Sequence, residues 1–275
     1  MAHLSLGRIA RLSLVAPLMI VAAPPARAGI GDLLVAPTRV VLNGRRGTEV
    51  ILNNIGDDVA TYRVTAELRR MTPEGKLVEV TDANAAEKAA QEMVLFAPRK
   101  VVLPPNQPQA IRLSARAPEG LPDGEYRVHM LFRAVPAPTP VTAPAKTEGV
   151  SFKLIPVYGV TIPVIVRLGN LEAKAALSNV RKVTGEGGRP AVALDISRTG
   201  DRSTYGEVRV LKPGVEKPIA MISGVAVYTE IGQRTVTVPI DPAQLASASG
   251  EVTVQYVEPT DTGPVTIAET TAVLR

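Results

Sequence analysis

Apolar and polar residues alternate along most of this chain with a period of two, not 3.6. The runs "EVILNNIG", "YRVTAEL", "AIRLSAR", "EYRVHMLFRAV" and "VYGVTIPVIVRLG" are short, rich in β-branched residues, and bounded by Pro, Gly, Asn or Asp. Such runs predict strands with one face on a core. After about residue 170 the style repeats in "AVALDISRTG", "YGEVRVLKPG", "GVAVYTE", "RTVTVPID", "GEVTVQYVEP" and "PVTIAETTAVL". Turn signals recur about every ten residues, so the fold class is all-β, built of antiparallel sandwiches. One stretch breaks the pattern. "TDANAAEKAAQEM", Thr81 to Met93, reads either as a few helical turns or as a mobile loop.

Two segments are candidate boundaries. "VPAPTPVTAPAKTEG", Val135 to Gly149, is rich in Pro, Ala and Thr and reads as extended and exposed. It is either a domain linker or a long hairpin loop. "RLGNLEAK", around Gly169 and Asn170, ends a strong apolar strand. That strand needs the partners that the upstream strands supply. The division is therefore placed at 168/169, with residues 29–168 as one domain and 169–275 as a second. One residue is out of place in this pattern. "APTRVVLNG", Ala36 to Gly44, reads as an extended segment ending in a turn, yet Arg39 stands among its apolar residues.

Residues 1–28 read as a cleaved secretory signal peptide. His3, Arg8 and Arg11 form a positive start, "LSLVAPLMIVAA" an apolar centre too short to span a bilayer, and "ARA" a cleavage site. No later run approaches about 18 unbroken apolar residues, so stable membrane insertion is not expected. Arg8, Arg11 and Arg27 account for three of the five net positive charges, which leaves about +2 on the exported chain. Lys and Arg are scattered and aromatics are few, so no nucleic-acid surface is expected. The chain has no Cys, so an exported fold must rely on its core alone. Beyond His3 the only His is His129, which removes His/Cys metal sites by inventory. No P-loop, dinucleotide-binding glycine pattern or Gly-x-Ser-x-Gly elbow is present. His129 shares a strand face with Arg127, Leu131 and Arg133, which reads as the polar, outward face. No enzyme and no cofactor are expected.

The order of these motifs carries a resemblance. "APTRVVLNG…EVILNNIGDDVATYRV", then Leu103-Pro104-Pro105, Ile111-Arg112-Leu113, Leu121-Pro122-Asp123, Glu125, Val135-Pro136 and "VTIPVIVRLG", resemble in sequence and spacing the periplasmic pilus chaperones of the chaperone–usher pathway, the PapD-like family. The resemblance covers residues 34–168; the second half matches in strand style. It implies two immunoglobulin-like sandwiches set at an angle, a periplasmic location, and partners that are pilus or related surface-fibre subunits and an outer-membrane usher. It also implies donor-strand complementation, in which a strand is lent to a subunit whose own sandwich is incomplete. The competing expectation is an exported two-domain structural or adhesive surface protein.

The family holds the subunit's terminal carboxylate with a cleft Arg and a Lys. Arg39 falls on the Arg position. The Lys position, counted back from Arg167, falls on Pro163, a departure from the family: either Arg39 acts alone, another cation such as Arg99 or Lys100 substitutes, or the subunit is held differently. The donor strand, Gly149 to Val166, presents Phe152, Leu154, Pro156 and Tyr158 in the register that the resemblance implies; the other register presents Val150, Ile155 and Val157. Glu125, Arg167 and Asp261 fall on an ionic cluster that joins the two domains in the family.

Overall fold

The computed structural model describes residues 32–43, 46–136 and 157–275. Residues 1–28, expected to be a signal peptide, and Phe152, Leu154 and Pro156, expected donor positions, lie outside the described residues. The first body comprises β1 (Leu33–Ala36), β2 (Val40–Asn43), β3 (Thr48–Asn54), β4 (Ala60–Glu67), a small hairpin of β5 (Arg69–Met71) and β6 (Leu77–Glu79), α1 (Ala85–Met93), β7 (Val94–Ala97), β8 (Lys100–Leu103), β9 (Pro108–Ala115), β10 (Gly124–Val135) and β11 (Gly159–Leu168). The second comprises β12 (Ala173–Thr184), β13 (Pro190–Gly200), β14 (Thr204–Leu211), β15 (Ala220–Val227), β16 (Gln233–Pro239), β17 (Gly250–Thr260) and β18 (Gly263–Leu274).

Each body is an immunoglobulin-like sandwich of two sheets. In the first, the sheet β1-β3-β9-β7 faces the sheet β2-β11-β10-β4-β8. Period-two patterning builds the core directly. Val50, Leu52 and Ile111 from one sheet and Val128, Met130, Phe132 and Val164 from the other are fully buried together. Each such side chain contributes on the order of 1.5–3 kcal/mol before entropy losses. The Tyr126 hydroxyl donates to the Pro122 carbonyl four residues upstream at 2.8 Å, a corner that recurs in immunoglobulin-like sandwiches. Asn54, buried inside the "NNIGDD" turn, donates to the carbonyls of Asp58 and Leu103 and accepts from the Gly56 amide, so its polar cost is met. The second sandwich packs β12-β13-β16 against β15-β14-β17-β18 around Val192, Leu194, Val208, Val254 and Tyr256. Among the described residues no helix is long and apolar enough to cross a membrane.

Three open readings resolve. The stretch at Thr81 is helical from Ala85 to Met93: Asn84 and Glu87 form a reciprocal capping box, and Ala90 and Met93 are buried. The segment after Val135 joins two neighbours in one sheet, because β10 and β11 pair antiparallel from Arg133↔Gly159 onward; it is a hairpin connection, not a link between sandwiches. "APTRVVLNG" is not one strand. β1 pairs with β3 in one sheet, β2 pairs parallel with β11 in the other, and Pro37 to Arg39 carry the chain across.

Candidate functional site

That switch explains Arg39. A side chain inside either strand would point into the core or out to water. At the crossing it points along the seam between the two sandwiches, where the second sandwich meets it. Its Nη2 donates to Ser203 Oγ at 3.3 Å, and its guanidinium carbon lies 4.4 Å from the centre of the Tyr205 ring. Its Nη1 is buried and has no hydrogen-bond partner among the described residues. Burial holds the Arg39 pKa below its usual range, with Tyr228 and Glu125 nearby acting the other way. A guanidinium in this state is a donor short of an acceptor.

Glu125 and Arg167 stand beside it. Arg167 Nε donates to Glu125 Oε2 at 3.0 Å, and the Glu125 side chain is 1 % exposed. Ser203 closes the group from the second sandwich: its amide and hydroxyl donate to the same oxygen at 3.1 and 2.9 Å. The family-derived third member, Asp261, does not complete this group. It is exposed on the β17–β18 turn and makes no ion pair among the described residues. The bond across the seam is made instead by a buried serine, which no charge pattern announces. Nearby, Arg202 holds Glu258 at 2.9 and 3.1 Å within the second sandwich.

A second group lies further across the sheet. Arg127 donates to both Glu230 oxygens, at 2.5 and 3.1 Å, and to the Arg69 carbonyl at 3.0 Å. Its guanidinium carbon sits 3.6 Å from the centre of the Tyr228 ring. His129 is 1 % exposed and meets Tyr228 edge-on, with ring centres 6.3 Å apart. The outward-face reading of His129 is therefore corrected. Glu125, Arg127 and His129 do share the face away from the first core, but the second sandwich covers that face. Neither His129 ring nitrogen has a partner among the described residues, and burial, with Arg127 and Arg69 adding to it, pushes its pKa down to about 3.

Pro163 sits opposite His129 in the β10–β11 register, so the position expected to carry a second cation carries none. Arg99 and Lys100 do not replace it. They are exposed at β8, three strands from β11 and so about 14 Å away across the sheet. The second cation nearest Arg39 is Arg167, already held by Glu125.

One edge in the same sheet is open. β2 pairs with β11 only from Val164 to Arg167, so the outer edge of β11 from Gly159 to Pro163 carries no strand among the described residues. Tyr158, the one of the four expected donor positions within the described residues, is 54 % exposed beside Val157. By the period of two it shares its face with Ile162 and Val164.

Comparison with known proteins returns fold likeness only. No family model and no curated protein matches the chain. Solved structures do. The Escherichia coli chaperone DraB is 14% identical, covering 90% of this chain and 98% of its own, with a TM-score of 0.45. A chain of the Salmonella enterica SafA pilin–SafB chaperone complex is 17% identical, with 90% and 98% covered and a TM-score of 0.45. A chain of the Acinetobacter baumannii CsuC–CsuE chaperone–tip adhesion subunit complex is 14% identical, with 88% and 97% covered and a TM-score of 0.41. At these values the likeness carries no weight for function.

Sequence reasoning missed Ser203, Tyr205, Tyr228 and Glu230. All four belong to the second sandwich, and their roles exist only once it has docked. The one local signal is Glu125-x-Arg127-x-His129: three ionisable side chains on one strand face read as solvated until something covers them.

Proposed function

We propose that this protein is a periplasmic assembly chaperone that binds pilus or related surface-fibre subunits and delivers them to an outer-membrane usher. Residues 29–168 form the subunit-binding domain and 169–275 the second domain. The observation that carries the reading is the buried Arg39 guanidinium, stacked on Tyr205 and short of one acceptor. A chain-terminal carboxylate supplies that acceptor as a charge-assisted hydrogen bond, among the stronger kinds available. The open edge of β11 begins in the same sheet. A subunit lacking one strand pairs its backbone along that edge. In this proposal Phe152, Leu154 and Pro156, with Tyr158, are the side chains that fill the subunit's open core. Both sandwiches here keep well-buried cores, which counts against the chain being such an incomplete subunit.

The test is capture. The full chain, tagged and exported to the periplasm, is purified with its partners, and these are identified by mass. The wild type is expected to return fibre subunits, and Arg39→Ala to lower their yield at least tenfold with the chaperone itself still folded. Equal yields from both, or no fibre subunit with the wild type, overturn the proposal.

A further inference from the structure

The small hairpin β5–β6 has no role in either core. It leaves the first sandwich after β4 and reaches the second. The Met71 amide donates to Glu230 Oε1 at 2.7 Å, and the Thr235 amide donates to the Pro73 carbonyl at 2.9 Å. The Met71 side chain is buried in a cluster with Ile165, Ala226 and Tyr228, which belongs to neither sandwich core. The tip turns at Gly75, whose φ of +81° suits glycine, and it lies directly against the Arg234 guanidinium. The hairpin's base is braced as well. Arg70 donates to both Glu87 oxygens at 2.6 and 2.7 Å, which ties β5 to the capping box of α1.

The geometry of attachment gives this hairpin a task. The chain between the sandwiches, residues 169–172, is short and contains Gly169 at φ +81°, and it fixes one point only. The Glu125–Ser203 group lies near that point, because Glu125 pairs with Arg167 at the end of β11. A body held near one end still rotates about it. The hairpin grips the second sandwich at a second place, over β10: the Arg69 carbonyl accepts from Arg127, and the Met71 amide and Arg127 donate to the same Glu230 oxygen. With the Arg127–Glu230 pair beside it, this attachment opposes the rotation. We propose that the β5–β6 hairpin is a strap that sets the angle between the two sandwiches and thereby holds Ser203 and Tyr205 against Arg39, with Glu230 as its positioning residue. The purpose assigned to the strap rests on the carboxylate reading of Arg39; its mechanical action does not.

The chain has no cysteine, so spin labels at Lys100→Cys and Lys217→Cys, both exposed and one on each sandwich, occupy unique sites. Pulsed dipolar spectroscopy on the full exported chain reads the distribution of distances between them. The otherwise native protein is expected to give one narrow peak. Glu230→Ala and Met71→Ala, each with unchanged circular dichroism, are expected to widen the distribution at least twofold. Widening in Met71→Ala supports the strap; Glu230→Ala, which also strands Arg127, gives the width for loss of the whole joint. A width unchanged in Met71→Ala overturns it, whatever the capture experiment returns.

Discussion

Arg39 and Arg127 are built alike and finished differently. Each is a guanidinium on the first sandwich laid over a tyrosine of the second, at 4.4 Å on Tyr205 and 3.6 Å on Tyr228. Arg127 has its carboxylate: Glu230 accepts from both terminal nitrogens. Each leaves one buried nitrogen without a partner among the described residues, Nε in Arg127 and Nη1 in Arg39, but Arg39 has a serine hydroxyl where Arg127 has a carboxylate. One joint is closed within the chain and holds the bodies together. The other is left short by one anion, although desolvating a cation without a partner is costly. A protein that only needed stability would close both.

The comparison breaks most sharply at the closed joint. Arg127→Ala removes the cation from Glu230, the ring stack and the bond to the Arg69 carbonyl together. Because the Arg127 side chain is only 8 % exposed, the loss is expected to be about 3 kcal/mol, in the range for breaking a buried pair. Urea unfolding with linear extrapolation measures it. A loss under about 1 kcal/mol would mean that the pair behaves as a surface ion pair and the joint is open too.

His129 lies against the same Tyr228 and sharpens the contrast through pH. Its folded pKa of about 3 is below the usual 6.5, so the unfolded chain takes up a proton that the folded chain refuses. Stability from this group is present above about pH 6.5 and is lost as pH falls toward 3. The slope is about 1.4 kcal/mol per pH unit. Falling pH also protonates carboxylates such as Asp195, so the useful quantity is a difference. His129→Leu loses no hydrogen bond among the described residues, since neither ring nitrogen makes one there. Its stability relative to the wild type is expected to rise by about 1.4 kcal/mol for each unit between pH 6 and 4. Parallel curves for the two proteins would remove His129 from the interface.

The closed joint was also the illegible one. Strand period and turn spacing gave both sandwiches, because each core forms from its own alternating residues; Val128, Met130 and Phe132 declare their face locally. Arg39 was legible because a cation among apolar residues is locally odd, although its place at a sheet switch was not. Arg127, His129 and Glu230 were not odd. Charges alternating along β10 are what a solvated face looks like, and only the docking of the second sandwich changes their meaning. Asp261 failed for the same reason from the other side: the group that crosses to Glu125 is Ser203, a residue whose own neighbourhood predicts nothing.

The smallest effect is the most telling about Arg39. Arg39→Met keeps most of the side-chain length and apolar contact on Tyr205 and removes the buried charge. A buried cation whose pKa is lowered by desolvation weighs against the folded state when nothing compensates it. The variant on its own is therefore expected to be as stable as the wild type or more stable, by up to about 1 kcal/mol in urea unfolding. The same substitution at Arg127 would destabilise, since there a carboxylate would be stranded. If Arg39→Met instead destabilises by more than about 1 kcal/mol, Arg39 is a structural partner of Ser203 and Glu125. The two tyrosine-backed arginines would then be one kind of joint rather than a lock and a socket.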